Sequence, residues 1–241
     1  MKVHSNFKVF AGVHFDASKY ISSPSFGVDR FMLDRVGGER ARATTIVKYQ
    51  PNSTFPSHTH VGGEEFFVLE GTFKDQFGEF TKGTYVRNPI DSQHAPWVDH
   101  DGCTIFVKLL QMADTKDLSG PLFVNVMDET KATCTTENGR VMELYYNEET
   151  GERVQMYWLE PNKVLQPVSG GEEILVVEGE LKAGDETYKK WGWMRFPDSS
   201  LETRPRAQVQ SGFNGAQIFR KTGHLTEKAL SMEHIQITSD D

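Results

Sequence analysis

One decapeptide occurs twice in this chain. Gly62-Gly63-Glu64-Glu65-Phe66-Phe67-Val68-Leu69-Glu70-Gly71 returns as Gly170-Gly171-Glu172-Glu173-Ile174-Leu175-Val176-Val177-Glu178-Gly179, identical at seven of ten positions and displaced by 108 residues. The displacement persists downstream, where Arg87-Asn88-Pro89 returns as Arg195-Phe196-Pro197 and Gly83 returns near Gly192. Upstream, Gln50-Pro51-Asn52 returns as Glu160-Pro161-Asn162 at a displacement of 110, so one loop is two residues shorter in the second copy. Such self-similarity marks a duplicated structural unit. Whatever the unit is, the chain must hold two of it. Half of 241 residues leaves roughly 110–120 per copy, enough for a workable hydrophobic core.

The unit is made of strands. Short runs rich in Val, Ile, Phe, Tyr and Thr recur at Thr44–Tyr49, Glu65–Leu69, Gly83–Arg87 and Cys103–Leu109, then at Val154–Leu159, Glu173–Val177 and Gln217–Arg220. Turn pairs such as Glu70-Gly71, Phe77-Gly78, Lys82-Gly83 and Asp101-Gly102 separate them. Many short strands at this spacing read as a sandwich or barrel. The expectation is an all-β chain of two tandem barrels over residues 1–118 and 139–225, with a junction inside Asp114–Asn138 and a polar tail over 226–241 that frays from about Met232.

Charge narrows the partners. The net charge of −8 opposes nucleic-acid binding, which needs a basic face to release counterions, and opposes docking on anionic membranes. No apolar run approaches the roughly 20 residues that span a bilayer, and Met1–Phe10 lacks the apolar core of a secretory signal. Cys103 and Cys134 form no CxxC pair, which suits two reduced thiols in a cytoplasmic protein.

Only the first copy carries transition-metal chemistry. In His58-Thr59-His60-Val61-Gly62-Gly63-Glu64, residues two apart on a strand share a face, so His58 and His60 can converge inside a barrel. Gly62-Gly63 allows a bend that brings the Glu64 carboxylate to the same point. Glu65 is the rival, but alternation puts it on the other face. A strand returning antiparallel through Ser92-Gln93-His94 would supply His94 as fourth donor. Three imidazoles and one carboxylate suit zinc, iron(II), manganese, nickel or copper, and not calcium or magnesium.

The pattern HxH(x)3E(x)6G, followed by G(x)5PxxxxH, resembles the two motifs of the cupin superfamily. The stretch from His60 to Gly71 and the run Arg87-Asn88-Pro89 through Ser92-Gln93-His94-Ala95-Pro96 are similar, more narrowly, to the cupin domain of ChrR-type anti-sigma factors. The resemblance implies two double-stranded β-helix (jelly-roll) barrels. It also implies a zinc site at the positions of His58, His60, Glu64 and His94. Related single cupins use iron and cleave carbon–carbon bonds of diketones or hydroxyketones with dioxygen. Two departures stand out. Only about forty residues precede the first barrel and they contain no cysteine, whereas an anti-sigma factor of this type needs a zinc-bearing helical domain there, so the anti-sigma role is not expected to be inherited. Asp91 stands where the motif usually has glycine, which alters a turn and not a ligand.

In the second copy, counting from the shared GGEE places Gln166 at His58, Val168 at His60, Glu172 at Glu64 and Glu202 at His94. No histidine lies between His100 and His224. Gln166, Glu172 and Glu202 would make at most a weak oxygen site, so a structural barrel is expected. Elsewhere, Trp97, Phe66 and Phe106 are candidates for core packing or for lining the first pocket. Arg87, repeated as Arg195, reads as a structural ion pair. Asp99, His100 and Asp101 read as a solvated turn, and His4, His14, His224 and His234 receive no role.

These readings give a metal-binding bicupin with one divalent transition metal per chain, zinc or iron(II) first and manganese or nickel next. Its function is expected to be that of a metal-dependent, dioxygenase-like enzyme acting on a small organic molecule, with no catalytic side chain assigned. The alternative is a zinc-stabilised ligand-binding or sensing module without anti-sigma activity. A small-molecule ligand and a homodimer are compatible with the sequence. Nucleic acid and membrane are not.

Overall fold

The computed structural model describes residues 1–112, 120–128, 133–200 and 206–231. The expected tail from Met232 and part of the expected junction lie outside the described residues. Among those described, the chain is almost wholly β, with a 3-10 turn at Ala17–Lys19 and one helical turn at Glu227–Leu230. It forms two compact units, each a cupin barrel.

The first unit comprises Met1–Ser5 and Asp16–Asp128. Its main sheet runs Lys2–Val3, Val28–Gly37, Ala41–Tyr49, Cys103–Leu109, Glu64–Asp75, Thr84–Asn88, Leu122–Asn125, with antiparallel neighbours throughout. Alternation decides what lies inside. Along Glu64–Asp75 the inward set includes Phe66 and Val68, and along Cys103–Leu109 it is Cys103, Ile105 and Val107. These join Val47, Phe73, Phe80 and Val86 in one buried cluster. Ile21–Ser22 pairs beside Val28–Gly37, Gly78–Thr81 pairs beside Glu64–Asp75, and a separate two-stranded ribbon joins His58–His60 to Ser92–His94.

The second unit comprises Asn6–Phe15 and Glu129–Leu230. Its sheet repeats the order: Cys134–Thr136, Gly139–Tyr146, Arg153–Leu159, Val209–Thr222, Glu172–Ala183, Trp193–Phe196, Ala11–Val13. Its core gathers Leu159, Ile174, Val176, Leu181, Met194 and Ile218 among others.

The strand registers extend the repeat beyond sequence identity. Glu64 faces Leu109 and Glu172 faces Thr222, so the last strands correspond at a displacement of 113 residues, five more than the decapeptides. The left-handed turn position taken by Gly83 (φ +86°) is held in the second unit by Trp191 (φ +65°), one residue before the expected Gly192. Each bonds its amide to the matching carbonyl, Val68 or Val176.

The outermost strands are exchanged along the chain. In the first unit Leu122 pairs with Arg87; in the second, Ala11 pairs with Arg195. Leu122–Asn125 precedes the second barrel but completes the first, and Ala11–Val13 precedes the first barrel but completes the second. Aromatic contacts seat the latter segment: Phe10 lies 4.9 Å from Phe196, Phe15 lies 4.8 Å from Trp191, and the Arg195 guanidinium stands 4.3 Å over Phe7.

Candidate metal centre

The ribbon beside the first barrel sets the histidines opposite one another. His94 pairs with His58, and Ser92 with His60. The three imidazoles each offer a nitrogen within 4.8 Å of the others. Nε2 of His60 and Nε2 of His94 are 2.9 Å apart. Glu64 joins them, its Oε2 being 3.4 Å from His60 Nε2 and 3.6 Å from His94 Nε2. Gly62 and Gly63 make the bend. Gly63 sits at φ +73°, and a Cβ on Gly62 would lie 2.8 Å from the Leu110 Cα. Asp91, at φ +63°, holds the left-handed position where the motif prefers glycine.

Neighbours fix the tautomers. Asp75 Oδ2, a buried carboxylate, can only accept from His94 Nδ1 at 3.0 Å, and the Pro56 carbonyl can only accept from His58 Nδ1 at 3.0 Å. In neutral imidazoles this leaves Nε2 bare on both rings. Asn88 Nδ2 donates to Glu64 Oε2 at 3.0 Å. Burial lowers the pKa of His60, and the opposing Glu64 charge does not overcome it. Burial also pulls His94 down, but its hydrogen bond to Asp75 and the Glu64 and Asp75 charges outweigh it and leave the pKa raised. Three imidazoles and a carboxylate oxygen thus gather at one place, with His60 Nε2 in hydrogen-bonding reach of His94 Nε2. The donor set therefore fits a transition-metal ion.

The centre borders a cavity of about 600 Å³. Its walls include Val28, Val47, Tyr49, Phe55, Phe73 and Leu109, and Arg30, Glu39 and Arg40 also line it. Burial, with the Glu64 charge, raises the Tyr49 pKa, so this side chain stays a neutral phenol able to donate a hydrogen bond.

Other candidates fall elsewhere. Glu65 turns away from the histidines and accepts from Tyr85 at 2.7 Å and Arg87 at 3.0 Å; that ion pair is buried, as the structural reading of Arg87 expects. Phe66 packs in the core cluster. Neither Phe66, Phe106 nor Trp97 lines the cavity. Asp99 pairs with Lys74 at 2.6 Å, and His100 and Asp101 are exposed. His224 bonds buried Glu173 at 3.0 Å, His14 stacks on Tyr188, and His4 contacts the Leu33 carbonyl. His234 lies outside the described residues. Both cysteines are free thiols, and burial pushes Cys103 up to about 12.

Asp75, Asn88, Tyr49 and Arg30 were not singled out in the sequence. Asp75 sits at the start of the Asp75-Gln76-Phe77-Gly78 turn, where an aspartate reads as turn chemistry; its Oδ1 does accept from the Phe77 amide.

In the second barrel the corresponding place is filled by arginine side chains. Glu172 accepts from Arg220 Nε at 2.5 Å and forms an ion pair with Arg206. Arg220 also donates to the Gln166 carbonyl at 2.7 Å. Burial lowers the pKa of both arginines, Arg206 to about 10 with help from the Arg220 charge. Glu202 lies outside the described residues. The registers match Trp97 with Gln210, since Trp97 bridges Thr54 and Lys74 as Gln210 bridges Val164 and Lys182. Counting back three residues, Ala207 rather than Glu202 corresponds to His94.

Residues 9–113 match the family described as the ChrR cupin-like domain. The first barrel is similar to that family over this stretch. No curated protein matches the sequence. Among solved structures, a candidate dioxygenase from Nostoc punctiforme is similar at a TM-score of 0.65 and 14% identity, covering 99% of this chain and 85% of that one. Salicylate 1,2-dioxygenase from Pseudoaminobacter salicylatoxidans, as gentisate adducts, is similar at 0.53 and 16%, covering 78% and 70%. A bacterial pirin from Escherichia coli in complex with nickel(II) is similar at 0.59 and 10%, covering 89% and 98%. At these identities the likeness is one of fold. No helix among the described residues is long and apolar enough to cross a membrane.

Proposed function

We propose that the ChrR cupin-like barrel holds one divalent transition metal through His58, His60, Glu64 and His94 and is a metal-dependent, dioxygenase-like enzyme acting on a small organic molecule. The observation that carries the reading is the convergence of His60 Nε2, His94 Nε2 and Glu64 Oε2 within 3.6 Å of one another beside a cavity of about 600 Å³. When bound, an iron(II), zinc, manganese or nickel ion supplies Lewis acidity toward a substrate oxygen and, where redox-active, reactivity toward dioxygen.

The chain's own residues do the rest. Asp75 holds the His94 ring in one orientation and tautomer, and Asn88 does the same for the Glu64 carboxylate. Val28, Val47, Phe55 and Phe73 give the cavity apolar walls that exclude water from a bound substrate. Tyr49 presents a phenol to the cavity. The solved relative described as a candidate dioxygenase, the salicylate dioxygenase with gentisate and the nickel-bearing pirin support this chemistry on a shared fold.

The test has two parts. Protein purified without added metal is analysed for its elements, then loaded with iron(II) and screened for oxygen uptake on small β-diketones, hydroxyketones and their acids. One equivalent of metal with uptake on any of these supports the proposal. A single tightly held zinc, with no uptake after iron exchange, sinks the enzymatic reading in favour of a zinc-stabilised binding or sensing module.

A further inference from the structure

We propose that the ligand of this cavity is an organic anion, a small carboxylic acid with an apolar body, and that Arg30 receives its carboxylate by releasing Glu39. The inference rests on the reading of the cavity as the substrate site of a metal-dependent enzyme. It adds the class of substrate, which the metal ligands leave open.

Arg30 lies on the Val28–Gly37 strand two residues from Val28, so the two share a face. Val28 packs on the barrel core, and both residues line the cavity. The Arg30 side chain is only 19% exposed, whereas its partner Glu39 is 65% exposed. Nη1 and Nη2 of Arg30 both reach the same oxygen, Glu39 Oε2, at 3.1 Å; Oε1 is 3.5 Å from Nη1. A planar guanidinium prefers two parallel bonds to two carboxylate oxygens, so this pairing is not its best. An ion pair with one partner so exposed is held weakly, and Glu39 returns to water at little cost. Arg40 also lines the cavity, and no hydrogen bond or ion pair engages it among the described residues.

Charge points the same way. With a divalent ion at the histidines, the ion, Arg30 and Arg40 are opposed by Glu39, Glu64 and the Asp75 carboxylate on His94, which leaves one positive charge. The chain as a whole carries −8, so this positive charge is local to the cavity. An acid whose carboxylate meets Arg30 and whose body lies along Val47, Phe55 and Leu109 uses both the charged and the apolar lining. A neutral diketone leaves both arginines idle.

The experiment measures calorimetric binding of benzoate and of its uncharged counterpart benzamide to full-length, metal-loaded protein, with metal content determined on the same samples. Wild type is expected to bind benzoate at least about tenfold more tightly than benzamide. Arg30→Gln should weaken benzoate about tenfold and leave benzamide unchanged. Glu39→Gln, an exposed change that leaves the fold intact, should tighten benzoate about two- to fivefold by freeing Arg30. Equal binding of the two probes, or a Glu39→Gln variant that binds benzoate no better, overturns the inference. So does benzoate binding that survives Arg30→Gln but vanishes when the metal is stripped, because the carboxylate then sits on the metal. Opposite effects of the two variants in protein that never takes up metal would uphold the anion site and sink the proposed enzyme instead.

Discussion

Glu64 and Glu172 occupy the same register in the two barrels, facing Leu109 and Thr222 on the last strand, and both are buried. They differ in what answers their charge. Around Glu64 stand two imidazoles and the Asn88 amide; around Glu172 stand two guanidinium groups. By the same register Arg220 corresponds to Val107, which in the first barrel is an apolar wall of the cavity. A buried carboxylate without a counter-charge is expensive. The second barrel carries its cation on its own side chains, while the first gathers nitrogens that could hold one from solution. On the proposed reading the duplicated fold sets one requirement, a positive charge beside this glutamate, and the copies meet it by different chemistry.

Removing Arg220 should have the largest effect on stability. Arg220→Met leaves Glu172 with Arg206 alone, and breaking a buried pair costs about 3–5 kcal/mol. Denaturant unfolding should show that loss, and adding Glu172→Gln should recover much of it. If Arg220→Met is neutral, the arginines do not serve as the fixed cation.

Removing the metal comes next and should act through the first barrel. At free metal a thousandfold above Kd, binding contributes about 4 kcal/mol, so chelation should lower the unfolding midpoint of wild type. His60→Ala protein, which should retain no metal after dialysis against chelator, should not respond. Elemental analysis finding two equivalents in wild type, the second resistant to chelation, would break the contrast between the barrels.

Asp75→Asn should lower metal affinity 10–100-fold, or about 1.4–2.7 kcal/mol, since an amide orients His94 less firmly. Competitive titration with a chromophoric chelator measures this. The smallest effect is expected from Glu64→Gln in metal-free protein. It removes a buried charge that lacks a full cation, so its unfolding free energy should change by less than about 1 kcal/mol or rise. A large loss would show that protonated imidazoles alone satisfy Glu64.

The ligand candidates were legible because strand parity and motif spacing are short-range properties: His58 and His60 lie two apart, and the glycine pair precedes Glu64. The same parity separates Phe106, on the outer face, from inward Ile105 and Val107. What the sequence concealed depended on longer paths. Five extra residues lie between the decapeptide and the last strand of the second copy, so counting at 108 misplaced the partner of His94. Arg206 and Arg220 went unnoticed because no motif marks them, and Arg30 lies 28 residues before His58 on another strand. The exchanged strands share one identity in three aligned positions, Val13 with Val124, too little for any repeat search.

That exchange bears on what such a chain can discard in the course of descent. A duplicate that lacks its sibling's histidines would ordinarily be free to disappear. Here, truncation after the first barrel would strip Ala11–Val13 of its hydrogen-bonding partner and deprive Phe7, Phe10 and Phe15 of the Arg195, Phe196 and Trp191 contacts that cover them, leaving a sticky aromatic arm. Loss of the leading segment would bare the Trp193–Phe196 edge in turn. Gene duplication followed by strand trading works as a ratchet: the second half is inherited because its sibling's first residues are already woven into it.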